Sequence, residues 1–160
     1  MYSRITKMKS LFLFIGFLFL VNSAFSQQLS ITQNLSFGTF APAFGTSTVT
    51  ISPNGTRIIS GGAIALGFAN YSPAILTYTA SKSKKNTSIH ILYTTNINII
   101  YNGHNMAVVI GPTDKINDRY ITLPNQSTEI RIGGRLTINN IVSNPSGTYQ
   151  GTFNITIIQE

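Results

Sequence analysis

Residues Gly147–Glu160 read GTYQGTFNITIIQE. Tyr149, Gly151, Phe153, Ile155 and Ile157 fall on one side of an extended chain; Thr148, Gln150, Thr152, Asn154 and Thr156 fall on the other. Such period-two alternation marks a strand with one face on a core and the other in water. The stretch sets the fold class, because the same texture recurs upstream. Thr, Ile, Val and Tyr are abundant, as half-buried strands prefer, and no helical periodicity competes with them.

Working back from the terminal strand, TEIRIGGRLTI and RYITLP are strand candidates. NINIIY and NMAVVI flank Asn102-Gly103, and TSTVTI and TRIIS flank Pro53-Asn54-Gly55. Asn-Gly is a strong hairpin signal because both residues tolerate positive φ. SIHILYT alternates, AILTYTAS and GGAIALGF follow the same style, and LSITQNLSFGTF is a first strand interrupted near Asn34. Short strands separated by turn residues, with no helix between them, predict an all-β, immunoglobulin-like antiparallel sandwich. A closed barrel is the alternative. SKSKKNTS, Ser81–Ser88, is too short for an interdomain linker and reads as an exposed loop.

The other end has a different character. Arg4, Lys7 and Lys9 precede the apolar run LFLFIGFLFLV, Leu11–Val21, and small residues stand at Ala24 and Ser26. This is the pattern of a secretory signal peptide cleaved between Ser26 and Gln27. The run is well short of the roughly 20 residues that span a bilayer. The expected organisation is a signal peptide over 1–26 and one sandwich domain over 27–160, exported to the periplasm, cell surface or medium, with no stable membrane span.

Of 11 Lys and Arg, three leave with the signal, so eight face four Asp and Glu and the mature net charge is +4. The basic residues are scattered except for Lys82, Lys84 and Lys85, too little for a nucleic-acid face. Cysteine is absent, so this exported domain must be held by core burial without disulfides, and thiol chemistry is excluded.

Residues able to carry chemistry are few. Asp114, Asp118 and Glu129 are the internal mature carboxylates, and His90 and His104 the only histidines. Asp114 and Asp118 lie in GPTDKINDRY, which lacks the dense oxygen-ligand alternation of a calcium loop. His90 shares a strand face with Leu92, and His104 follows an Asn-Gly turn. No G-x-S-x-G elbow occurs, and neither Gly61-Gly62 nor Gly133-Gly134 leads into a helix as a phosphate cradle would. Glycine pairs inside strands mark bends or close backbone approach. The reading assigns no catalytic residue, no cofactor and no metal.

Four pieces stand in order: LSFGTFAP at Leu35–Pro42, TVTISPNGTRIISGGAIAL at Thr48–Leu66, RIGGRLTI at Arg131–Ile138 and PSGTYQGTFNITI at Pro145–Ile157. Together they resemble a bacterial exported family known only as a domain of unknown function (number 4402). FGTFAP and SGTYQGTFNITI are more distantly similar to spore-coat-U-like secreted pilins, which assemble by donor-strand exchange with a chaperone and usher. Those pilins often carry disulfides and an aromatic penultimate residue; here there is no Cys, and Gln159 is penultimate. The resemblance implies a sandwich and an exported location without naming a reaction. Two functions follow as expectations: a non-catalytic structural or adhesin-like subunit pairing strands with itself or another exported protein, or an extracellular ligand- or glycan-binding module. LSITQNL either pairs with the terminal strand and closes the edge, or serves a neighbour as donor. Phe37, Leu66, Leu136, Tyr149, Phe153 and Ile155 are expected in the core. Circular dichroism of the mature chain will be β-dominated; a helix content above about a quarter is incompatible with the sandwich.

Overall fold

The computed structural model describes residues 28–41, 45–67, 70–80 and 85–160. The expected signal peptide, together with Lys82 and Lys84, lies outside the described residues. In chain order the strands are β1 (Gln28–Gln33), β2 (Ser36–Phe37), β3 (Phe40–Ala41), β4 (Ser47–Ile51), β5 (Arg57–Ser60), β6 (Ile64–Ala65) and β7 (Tyr71–Ser72). Then come β8 (Ala74–Thr79), β9 (Thr87–Tyr93), β10 (Asn96–Tyr101), β11 (His104–Thr113), β12 (Arg119–Thr122), β13 (Ser127–Ile138) and β14 (Ile155–Gln159). A single 3-10 turn, Ile116–Asp118, precedes β12. The described chain is all-β with antiparallel sheets.

The main sheet runs β1-β8-β13-β11-β10. Its spine is β13, whose 12 residues exceed any one neighbour. On one edge β13 pairs with β11. On the other, Ser127–Ile132 pair with β8 and Gly134–Ile138 pair with β4, which in turn pairs with β5. The change of partner falls at Gly133, where a side chain would strike the carbonyl of Ile51. The glycine pair is therefore a close-approach point, as glycine within a strand suggests.

The second layer holds a three-stranded sheet, β12-β9-β14, and the two-stranded ribbons β2-β7 and β3-β6. Ile130, Ile132 and Leu136 of β13 and Val108 and Ile110 of β11 are buried, as are Ile89 and Ile91 of β9 and Tyr120 of β12. This is the aliphatic core that must stand in for disulfides. On one flank the layers are stitched by the chain crossing between them. Thr94 N donates to Asn154 O at 3.1 Å, Ile110 N to Thr95 O at 2.6 Å, and Ile100 and Gln150 exchange backbone bonds of 2.8 and 3.2 Å.

Both Asn-Gly turns are present, in different forms. Asn102 and Gly103 both take positive φ, 45° and 79°, and close the two-residue loop between β10 and β11. The first turn is wider: Ser52 N donates to Thr56 O at 2.9 Å, and Gly55 supplies the positive φ of 87°.

Three expectations are corrected. The first strand pairs with β8, not with the terminal strand. GTYQGTFNITIIQE is not one continuous strand: its ladder covers Ile155–Gln159, with a single bridge at Gln150. Of the expected core, Leu136 is 1% exposed, but Phe37, Tyr149, Phe153 and Ile155 are half-buried and Leu66 is 48% exposed. Leu136→Ala should therefore cost about 2–5 kcal/mol in urea unfolding, while Leu66→Ala costs less than about 1.

Candidate functional site

The second layer is incomplete. Leu35–Ala41 forms one bank, its outward edge paired to β7 at Ser36 and Phe37 and to β6 at Phe40 and Ala41. Thr148–Ile155 forms the opposite bank, tied outward to β10 through Gln150 and to β9 from Ile155 onward. Among the described residues no ladder joins the two banks to each other. Between them lies a cleft of about 970 Å³, near the top of the range for ligand sites, roughly 300–1,000 Å³.

The floor of the cleft is the inner face of the main sheet. Leu76, Val108, Ile110 and Leu136 lie there and are buried. The accessible apolar surface belongs to the banks and rim, where Phe37, Phe40, Tyr149 and Phe153 are half-buried and Ile31 and Leu66 are exposed. The second bank is held in place from behind. A side chain at Gly151 would come within 2.8 Å of Asn98 O, so the bank lies hard against β10. Tyr149 donates its hydroxyl to Pro145 O at 3.0 Å, and its ring packs against Tyr101 at 5.6 Å between centroids.

The loop that leads into this bank turns on Asn144, a buried polar side chain the sequence reading did not single out. Its Oδ1 accepts from Asn139 N at 2.8 Å and its Nδ2 donates to Asn105 O at 2.7 Å. A buried amide is tolerable only when so satisfied. The turn-rich run SNPSG, Ser143–Gly147, was the available signal for a break ahead of the terminal strand.

The acids and histidines stand outside the lining of the cleft. Asp114 Oδ1 accepts from Tyr120 OH at 2.7 Å and from Arg131 N at 2.9 Å. Asp118 accepts from Tyr93 OH at 3.3 Å and, through its other oxygen, from Thr113 N at 3.4 Å. These acids brace the turn between β11 and β12. Glu129 pairs with Arg131 at 2.5 Å. His90 is half-buried, paired with Arg119 on one side and Ile158 on the other. His104 Nδ1 lies 3.1 Å from Ser143 O at the far hairpin. Among the described residues no group of three or more such side chains could hold a metal ion, and no helix is long and apolar enough to cross a membrane.

With the geometry in place, comparison with known proteins assigns the family. A model described as a domain of unknown function (DUF4402) matches residues 29–158. The chain belongs to the DUF4402 family. The match takes in both banks of the cleft and every strand of the main sheet except the first residue of β1. No curated protein and no solved structure matches this DUF4402 chain.

The braced turn has a pH signature. Burial, together with the hydrogen bond and charge of Asp114, holds the Tyr120 phenol well above its ordinary value of 10, and burial also raises Tyr78 and Tyr93. A raised folded-state pKa keeps the proton on the native chain, so this stability is complete below pH 10 and drains away above it. Urea midpoints should fall from about pH 10 upward, each linked proton contributing at most about 1.4 kcal/mol per pH unit. Tyr120→Phe should show a shallower fall; an equal slope would mean that Tyr120 is not among the groups responsible.

Proposed function

We propose that this DUF4402 chain is an exported, non-catalytic structural subunit whose working part is the interlayer cleft, where it takes up an extended strand from another polypeptide. The observation that carries this reading is the pair of strand banks, each paired on its outer edge and, among the described residues, joined by no ladder across an apolar floor. Unpaired strand edges recruit other chains, and a strand added between them gains backbone hydrogen bonds while its alternate side chains reach the floor.

The distribution of charge supports the same reading. Soluble proteins protect free edges with charged residues. The outer edge strand β12 carries the exposed Arg119. The banks, LSFGTFA and TYQGTFNI, carry no charge at all. A glycan module is less well served, because Tyr149, the tyrosine of the cleft, already spends its hydroxyl on Pro145 O and its ring on Tyr101. Export rests on the leader pattern ahead of Gln27.

The test is to express the full chain with its leader in its native host and fractionate the exported material. The native chain, beginning at Gln27, should appear in high-mass assemblies, with amides of Gly151 and Phe153 slow to exchange. Leu66→Glu, at the exposed rim of the cleft, should still be exported and folded but recovered unassembled. Native protein found solely as a free monomer, with those amides exchanging fast, would overturn the reading.

A further inference from the structure

The chain has two Asn-Gly pairs, Asn54-Gly55 and Asn102-Gly103. As sequence they are equivalent, since each sets an asparagine carboxamide beside a peptide nitrogen that no side chain shields. The structure makes them different. At the first turn both groups are engaged: Asn54 Oδ1 accepts from Ser52 Oγ and, at 3.1 Å, from Thr56 N, while Gly55 N donates to Ser52 O at 2.9 Å. At the second turn neither is. Asn102 and Gly103 are exposed, and among the described residues neither the Asn102 carboxamide nor Gly103 N has a hydrogen-bond partner. The space beside Gly103 is open, for a side chain there would meet nothing within 4 Å.

We propose that Asn102 is a site of spontaneous covalent modification, with Gly103 N as the nucleophile. Once that nitrogen has given its proton to hydroxide, it bonds to Cγ of Asn102. The Cγ–Nδ2 bond breaks, and the nitrogen takes up a proton and leaves as ammonia. Water then opens the cyclic imide at one of its two carbonyls. Opening at the side-chain carbonyl gives aspartate; opening at the main-chain carbonyl gives isoaspartate. Water is the only co-reactant, and an exposed turn is supplied with it.

The isoaspartate matters more than the charge. It routes the main chain through the side-chain methylene and so lengthens the turn. A two-residue loop held at φ of 45° and 79° has no slack for this, and the strain falls on Tyr101 and His104, the pair that closes β10 on β11. Tyr101 packs against Tyr149, and its ring fills the place a side chain at Gly147 would take. Its neighbour Ile100 exchanges backbone bonds with Gln150. The modified turn therefore loosens the second bank of the cleft from behind, whatever the cleft takes up.

Peptide mapping of the mature chain after incubation at mildly alkaline pH tests this. Hydrogen bonds must break at Asn54 before it can react and none at Asn102, so in the folded chain Asn102 should convert at least about 10-fold faster. In concentrated urea, where both turns are lost, the two asparagines should convert at comparable rates. Equal rates in the folded chain, or faster conversion of Asn54, overturn the proposal. A difference that persists unchanged in urea also overturns it, because it would then owe nothing to the fold. In the purified isoaspartyl product the Gln150 amide should exchange about 10-fold faster or more than in the unmodified chain. Asn102→Asp, which adds the charge without lengthening the turn, should leave that amide protected. An isoaspartyl product in which Gln150 is as protected as before overturns the link to the second bank.

Discussion

The structure depends on β13 having more partners than an ordinary strand. Its 12 residues run the length of the main sheet with β11 along one edge and two different strands, β8 and β4, in succession along the other. A long central strand can change partners only where the incoming backbones approach closely, and Gly133 supplies that space against Ile51. Next to it, a side chain at Gly134 would come within 2.9 Å of the Leu35 side chain, so the first bank of the cleft sits down on the same spine. Ile130, Ile132, Leu136 and Ile138 project from β13 into the core and are buried. In a chain without cysteine, that row carries stability that small exported domains often take from disulfides.

The cleft is a consequence of unequal layers. The main sheet reaches from β1 to β10, whereas the second layer offers β12-β9-β14 and two short ribbons. Ribbons of two residues per strand contribute little cohesion of their own, so the first bank is held by Leu35, Phe37 and Phe40 packed on the core and by hydrogen bonds from Ser36 Oγ to Asn70 O and from Leu66 N to Thr39 O. The second bank is firmer, with Gly151 against β10 and Asn144 fixing the loop behind it.

Much of this architecture was legible in the residues, and the exceptions share one cause. Asn102-Gly103 names its turn because the requirement, positive φ at two successive residues, is local. Leu136 reads as core because the alternation of RIGGRLTI places it there. Alternation, however, reports which side of a strand faces apolar surroundings; it does not report whether another strand lies alongside. Tyr149, Phe153 and Ile155 do point toward the core and are half-buried, but much of the backbone between them has no ladder. Leu66 follows the apolar pattern of GGAIAL and still lies open, because no layer covers it. The partner of β1 was beyond local pattern for the same reason: antiparallel pairing across some 45 residues is a tertiary outcome. The cleft, which is an absence of pairing, leaves no local trace except the lack of charge along its banks.

That lack of charge bears on how the protein survives before it is paired. Apolar strands with no charge, no proline and high β propensity are the segments most prone to aggregate when exposed. β1, the banks and ITIIQ of β14 all answer to that description, in a chain of which only 9% of residues are charged. A monomer working alone would gain from a lysine or an inward charge at any of these edges, as β12 gains from Arg119. Guarding the cleft in that way would block the strand proposed to enter it. On the proposed reading, specificity then comes from the shape of the floor, which would admit only a strand that can turn alternating large side chains inward. Open edges along the banks, harmful in most folds, are tolerable on the proposed reading to the extent that the right strand arrives first.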